Sequence, residues 1–236
     1  MRVMMSAWMA TMILVSPATA KENGANPVGL YRAQEGPDVG SLLAIRPDGR
    51  FGYEFYAGAL EQWALGNWSR VPASDGIIRL RTLPRPKAPV FRIDSMGKGE
   101  NTVDASPLTL HVAWPNGNGV SGIDFRIEYE NGETATGYTQ NGEWRADPAE
   151  QRRARWIELL EPVYDIALPR TAIPEGATDL RFTLIPNDMK IADFADSEAE
   201  FDGERLTLHS RNGDIRYVRI KGPEEIEAEP ESGTPE

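Results

Sequence analysis

The chain has 236 residues, of which 40% are hydrophobic and 26% are charged, a composition typical of a folded globular protein. It has no cysteine and only two histidines, which excludes a disulfide scaffold, a zinc finger, a thiol enzyme and a cysteine-ligated cluster. The formal charge of −11 argues against a nucleic acid or an anionic membrane surface as partner, because an acidic protein repels both.

The first twenty residues have the pattern of a secretory signal peptide. Arg2 supplies one positive charge, residues 3–15 are largely apolar, and small residues at Ala18 and Ala20 suit signal peptidase. The apolar stretch is shorter than the ~20 residues that a membrane-spanning helix needs. We therefore expect removal of residues 1–20, export to the periplasm or the extracellular space, and no transmembrane helix in the mature chain.

Residues 27–95 predict a first β module. Apolar and other residues alternate with period two along residues 51–56, which puts one face of a strand on a core and Tyr56 on the outward face. Six Asx-Gly pairs adjoin such runs throughout the chain and favour tight hairpins. They are Asp48-Gly49, Asp75-Gly76, Asn131-Gly132, Asn141-Gly142, Asp202-Gly203 and Asn212-Gly213.

A polar, glycine-rich linker at residues 95–102 precedes a second β module, which we place at residues 105–221. One segment in it favours a helix: Asp147 suits an N-cap, Pro148 the first helical position, and Glu150 the third residue after the cap. This pattern predicts a short helix at 148–155. Residues 156–160 fit either its continuation or a strand.

The fold class predicted is therefore all-β, with two antiparallel modules, a small meander and a sandwich-like domain, and one short helix. Residues 222–236 are expected to form a disordered acidic tail. Six Glu and three Pro lie between residues 221 and 236, and such a segment buries too little apolar area to offset the entropy of ordering.

Two stretches resemble known families. In the first module, Gly29-Leu30-Tyr31, Asp48-Gly49-Arg50-Phe51 and Gly66-Asn67-Trp68 are similar to the strand and turn pattern of lipocalin-like domains. The resemblance covers residues 27–95 and implies about half of an eight-stranded barrel. Residues 105–145, with Gly137-Tyr138-Thr139 and Gly142-Glu143-Trp144, resemble carboxypeptidase-regulatory-like and transthyretin-like sandwiches, which implies a non-catalytic appendage.

Two segments match catalytic or cofactor-binding motifs in residue type, but neither has the helix that the motif requires. Residues 117–122 fit a dinucleotide fingerprint, but a strand pattern follows instead of a helix, so we interpret them as a turn. Ser95 and Lys98 have the Ser-x-x-Lys spacing within a glycine-rich linker that gives no helix. His111 and His209 fall on polar strand faces with no nucleophile nearby in sequence. No catalytic residue is predicted.

Two tryptophans beside turns, Trp63 and Trp144, are the predicted surface residues for ligand binding. No cofactor is predicted. Calcium is the alternative, with Asp196, Glu198, Glu200 and Asp202 as candidate oxygen ligands. As a strand, the same segment instead points Ala199 and Phe201 inward and the acids into water.

The function hypothesis that follows is a non-catalytic exported binding or accessory protein of the cell envelope. Its partner would be a peptide, a glycan or another envelope protein. One alternative is a small periplasmic hydrolase with an unrecognised carboxylate or serine site, which requires a cleft with convergent polar groups. Another is a carrier of a small hydrophobic ligand, which requires an apolar cavity.

Overall fold

The computed structural model describes residues 25–34, 36–99, 108–210 and 213–227, and it confirms the all-β class. These residues form sixteen strands and one short helix. The elements are β1 (Gly29–Ala33), β2 (Val39–Ile45), β3 (Arg50–Ala57), β4 (Leu60–Arg70), β5 (Ile77–Thr82), β6 (Val90–Gly97), β7 (Thr109–Ala113), β8 (Asp124–Tyr129), β9 (Thr134–Tyr138), β10 (Glu143–Arg145), β11 (Ala154–Glu161), β12 (Ile166–Ala172), β13 (Asp179–Ile185), β14 (Ala195–Phe201), β15 (Arg205–Ser210), β16 (Gly213–Lys221) and α1 (Pro223–Glu227). The predicted signal peptide, residues 1–20, lies outside the described residues.

Eight antiparallel strands close into a barrel in the order β1-β16-β15-β14-β5-β4-β3-β2. Every second residue of each strand faces inward, as the period-two pattern requires. All eight strands contribute buried side chains to one core, which includes Tyr31, Phe51 and Tyr217. Ser41 on β2 donates or accepts a 2.8 Å hydrogen bond with the Tyr217 hydroxyl on β16, so even the polar groups inside are paired.

Two four-stranded sheets form the second unit, in the orders β10-β7-β13-β6 and β12-β11-β8-β9. Their inward residues share a single core that includes Leu110, Phe125, Ile157 and Phe182. Strand β13 runs parallel to β7, whereas the other pairs in these sheets are antiparallel. Two facing sheets with one common core form a sandwich.

The predicted module boundary is wrong. Strands β1 to β5 form a barrel not by themselves but with β14 to β16, and residues 90–185 are inserted between these two groups of strands. Five strands would leave the outer edges of β1 and β5 unpaired, and β16 and β14 pair with those edges. Residues 27–95 contain β6, which belongs to the sandwich, and residues 105–221 contain β14 to β16, which belong to the barrel. Each predicted module therefore contributes strands to both units.

The helix predicted at 148–155 is also wrong. The Asp147 carboxylate accepts a hydrogen bond from the Ala149 amide, but the segment makes only a turn before β11 begins at Ala154. Strand β11 lies between β8 and β12 and buries Ile157 and Leu159, so residues 156–160 are a strand. Strand pairing and burial outweigh a capping signal worth about 1 kcal/mol.

The predicted disordered tail needs a smaller correction. Residues 223–227 form the short helix α1 rather than continuing as a disordered segment. Pro223 suits the first helical position, and Glu225 accepts a 2.8 Å hydrogen bond from the Gly222 amide. Residues 228–236 lie outside the described part of the chain.

The chain leaving the sandwich runs along β4 before it enters the barrel. The Trp63 amide donates to the Lys190 carbonyl at 2.9 Å, and the Ala192 amide donates to the Trp63 carbonyl at 2.9 Å. The Tyr164 hydroxyl, from the sandwich, donates to the Glu61 carbonyl at 3.2 Å. The edge of β4 near Trp63 therefore lies at the junction of the two units.

Candidate functional site

The predicted binding residue Trp63 lies on the outward face of β4 and is 44% exposed. Three more large apolar side chains are exposed around it: Tyr56 on β3 at 60%, Leu65 on β4 at 59%, and Leu83, just after β5, at 45%. We call these four residues the apolar outer face. They are half of the eight large hydrophobic residues that are exposed in the described part of the chain.

Strand register brings the four side chains together. Leu65 and Trp63 are two residues apart on one strand, so both point outward, and Leu83 donates its amide to the Leu65 carbonyl at 3.0 Å. Tyr56 is paired with Glu61 and is thus a diagonal neighbour of Trp63. The face spans three adjacent segments of the barrel wall.

Small residues beneath the apolar outer face let these side chains lie flat. A Cβ on Gly40 of β2 would come within 1.9 Å of the Tyr56 ring, so the ring rests directly on the glycine backbone. Gly52 pairs with Leu65, and Leu65 Cδ2 lies over the glycine, 3.7 Å from the position of an added Cβ. The absence of a side chain at Gly40 therefore allows the Tyr56 ring to lie against the sheet.

The area of this face is that of a typical functional patch. From the exposed fractions, the four side chains expose on the order of 400 Å² of largely apolar surface. Its rim is charged: Lys190 makes a 2.7 Å ion pair with Glu61, and that bond lowers the pKa of the Glu61 carboxyl. An apolar centre with a charged rim is the usual anatomy of a protein interface.

Trp144, the second predicted binding residue, belongs to the sandwich core instead. It is half-buried and packs against Phe125 with ring centroids 4.5 Å apart. The neighbouring turn does not expose it, because β10 pairs with β7 and carries the indole over the core. Trp144 is therefore not an exposed platform.

The four candidate calcium ligands lie on or just after β14. Asp196 accepts two hydrogen bonds from Arg81, at 2.8 and 2.5 Å, and Arg81 lowers the pKa of this carboxyl. Glu198 pairs with Arg79 at 2.7 Å, Glu200 lies 3.7 Å from the His209 ring, and the Asp202 carboxylate caps the Arg205 amide.

The strand alternative for this segment is confirmed. Ala199 and Phe201 are buried in the barrel core, and Glu198 and Glu200 point outward. Two of the four acids already neutralise arginines, and the described residues hold no group of three or more His, Asp or Glu side chains placed to bind a metal.

The two histidines occupy different settings. His111 Nε2 lies 3.9 Å from Asp179 Oδ1, beyond hydrogen-bond distance, and the other Asp179 oxygen accepts from Arg181 at 2.8 Å. His209 on β15 bonds Asp214 at 2.9 Å, which raises the pKa of the His209 ring.

Neither of the two motif matches lies in a helix, but both segments differ in detail from the sequence interpretation. Residues 115–118 make a turn after β7, and the chain then reaches strand β8 without a helix. Ser95 lies within strand β6, and no helical turn brings Lys98 beside it. Neither segment has the helix N-terminus or the serine–lysine geometry that the chemistry needs.

The barrel interior is occupied by protein. Side chains from all eight strands fill it, and the Tyr53 ring is buried so well that desolvation raises its pKa to about 12. At one end, the Arg219 guanidinium stacks over the rings of Tyr31 and Phe201 and bonds the Tyr31 hydroxyl at 2.8 Å. Carriage of a hydrophobe inside the barrel therefore has no support in the described structure.

Of the four residues of the apolar outer face, Trp63 alone was predicted from the sequence as a binding residue. Alternation had placed Tyr56 outward, and Leu65 follows Trp63 by two residues, so their shared face was present in the pattern. Leu83 was missed because it lies in a proline-rich segment whose path the pattern does not specify.

A scan of known protein families, a search of characterised proteins and a search of solved structures each gave no match to this chain. None of the helical segments in the described residues is long and apolar enough to cross a bilayer.

Proposed function

We propose that this chain is an exported, non-catalytic binding protein of the cell envelope that docks onto another envelope protein through the apolar outer face. The main support for this proposal is that four large apolar side chains are exposed together on one side of the barrel. They are Tyr56, Trp63, Leu65 and Leu83. Export follows from the signal-peptide pattern of residues 1–20.

The size of the surface favours a folded protein as partner. A standard interface buries about 800 Å² per side, of which a little over half is apolar. The ~400 Å² of the four side chains, surrounded by the charged rim at Glu61 and Lys190, matches such a footprint. Trp and Tyr are also the residues most enriched among those that dominate binding energy.

Photocrosslinking in cells tests the proposal. Leu65→p-benzoylphenylalanine places a crosslinker inside the apolar outer face, and Tyr138→p-benzoylphenylalanine places it on the sandwich, where Tyr138 is similarly exposed at 57%. We expect a discrete adduct with one other protein from position 65 and none from position 138. Adding Trp63→Ala should remove most of that adduct.

Three results would count against the proposal. Position 65 gives no adduct, or both positions give the same adducts, or the adduct has twice the mass of the monomer and so identifies a second copy. Export is checked separately by sequencing the N-terminus of the periplasmic or secreted protein, which should begin at Lys21.

A further inference from the structure

A groove crosses the opposite side of the barrel from the apolar outer face. In the closed strand order, β15 lies four strands from β3, and β16 lies four strands from β4. The groove has a volume of about 690 Å³, within the range of small-ligand sites. It shares no residue with the apolar outer face.

One row of paired residues forms the floor of this groove. Ile77 pairs with Glu200, Glu200 with Thr207, and Thr207 with Arg216. Gln34 continues the row, because its amide donates to the Arg216 carbonyl at 2.8 Å. All five side chains line the groove.

Charges are separated across the groove. Asp75 and Glu200 line the side of β5 and β14, and Arg216 lines the side of β16. Asp202 and Arg205 lie together at the β14–β15 turn, where the Arg205 amide donates to the Asp202 carboxylate. Thr207 separates Glu200 from Arg216 in the floor and offers a hydroxyl between them. The groove is therefore dipolar, with its two charged ends on different strands.

The arginines of the groove differ from their neighbours. Arg79 and Arg81 on β5 are each held by an acid of β14, at 2.7 and 2.5 Å. Within the described residues, Arg205 and Arg216 have no carboxylate within ion-pair distance, although Glu200 and Asp202 line the same groove. Their guanidinium groups remain available to an external carboxylate, which arginine binds in a bidentate manner.

We propose that this groove binds a short peptide with free termini, with its carboxylate at Arg205 and Arg216 and its ammonium group at Glu200 and the neighbouring acids. Thr207 lies between the two charged ends, where its hydroxyl can hydrogen-bond a peptide amide, and Gln34 lies beside Arg216 at the carboxylate end. This peptide site shares no residue with the apolar outer face, so the proposal does not depend on the proposed docking function.

The spacing selects the length of the ligand. Glu200 and Arg216 are two strands apart, which is roughly 10 Å between their backbones. A fully extended peptide spans ~3.3–3.6 Å per residue, so the length of a tripeptide matches the spacing of these two strands, whereas a single amino acid is shorter than that spacing. A peptide that is blocked at both termini lacks both anchoring charges.

Calorimetric titration of the purified protein with tri-L-alanine at low ionic strength tests this. We expect binding that weakens by roughly tenfold with the C-terminal amide of the same peptide and similarly with its N-acetyl form, since each loses one charge-assisted contact. Free alanine should bind more weakly than tri-L-alanine. Added salt should weaken binding, because the charged ends are exposed.

Variants then assign the two ends. Arg216→Gln should reduce affinity for tri-L-alanine but not for its amide, and Glu200→Gln should reduce affinity for tri-L-alanine but not for the N-acetyl form. Arg46→Gln is the matched control, because Arg46 is exposed at the β2–β3 turn, outside the groove. Trp63→Ala should leave this binding unchanged, which separates it from the docking surface.

The proposal is overturned if tri-L-alanine gives no binding at millimolar concentration, or if the acid and the amide bind equally. It is also overturned if Arg216→Gln binds like Arg46→Gln while circular dichroism shows that both are folded.

Discussion

Gly66→Ala tests the close approach between β4 and β5. Gly66 is buried and pairs with Thr82, and a Cβ at this position would lie 2.0 Å from the Arg81 carbonyl oxygen and 2.8 Å from Phe51 Cε1. A carbon and an oxygen do not approach so closely, so the backbone of β5 would have to shift by about 1 Å. We expect the free energy of unfolding to fall by about 2–4 kcal/mol, from overpacking and strained ladder hydrogen bonds.

Gly52→Ala is the matched control in the same wall of the barrel. Gly52 faces outward on β3, and the nearest atom to an added Cβ is Leu65 Cδ2 at 3.7 Å, which is ordinary contact. Because alanine also restricts the unfolded chain, we expect this variant to be unchanged or more stable by up to ~1 kcal/mol.

Urea denaturation measures the free energy of unfolding of both variants. Amide hydrogen exchange of β4 and β5 then shows whether the change in stability lies in the barrel or in the sandwich. The unfolding midpoint should fall for Gly66→Ala and stay level or rise for Gly52→Ala. Equal changes in the two variants, or unaltered exchange of β4 amides in Gly66→Ala, would refute the strand approach described here.

Three further variants test the core and a surface pair. Trp144→Ala should destabilise the sandwich by about 2–4 kcal/mol in urea unfolding, because the indole packs on its core. Tyr217→Phe should cost about 1 kcal/mol, because it removes the buried bond to Ser41. Asp214 raises the pKa of His209, so their pair stabilises the fold at low pH and is lost as pH rises through the raised pKa. His209→Gln should therefore lower stability at pH 5.5, by less than ~0.5 kcal/mol for so exposed a pair, and leave it unchanged at pH 8.5.

Strands and turns were predictable from the sequence because they depend on neighbours along the chain. Period-two alternation and the Asx-Gly pairs identify the β class, and the positive φ of Gly49 and Gly132 is the conformation that such turns need. The helix signal at Asp147 failed although it is also local. Strand β11, which begins soon after this segment, pairs with β8 and β12, and these long-range contacts outweigh the capping signal.

The division into modules was not predictable from local composition. A glycine-rich linker at 95–102 separates two strands of the same sandwich, not two units. The true discontinuity is that β14 pairs with β5 across more than a hundred residues of inserted chain. Nothing in a local pattern reports which distant strand completes a barrel.

The binding surfaces were predictable only in part, for the same reason. Trp63 stood out as a tryptophan beside a turn, but the dipolar groove depends on cross-strand pairing of Glu200, Thr207 and Arg216. The alternating acids were visible in the sequence, whereas their arginine partners on β5 come from a segment far away along the chain.

The insertion of the sandwich bears directly on the proposed docking surface. The chain that returns from the sandwich binds the edge of β4 through hydrogen bonds between Trp63 and residues Lys190 and Ala192, and Lys190 also supplies the charged rim at Glu61. The returning chain therefore helps to position Trp63, together with the pairing of Trp63 with Glu54 on β3. A change that loosens the sandwich core should consequently weaken docking at a distance, whereas the dipolar groove, built from barrel strands on the opposite side, should keep its peptide affinity.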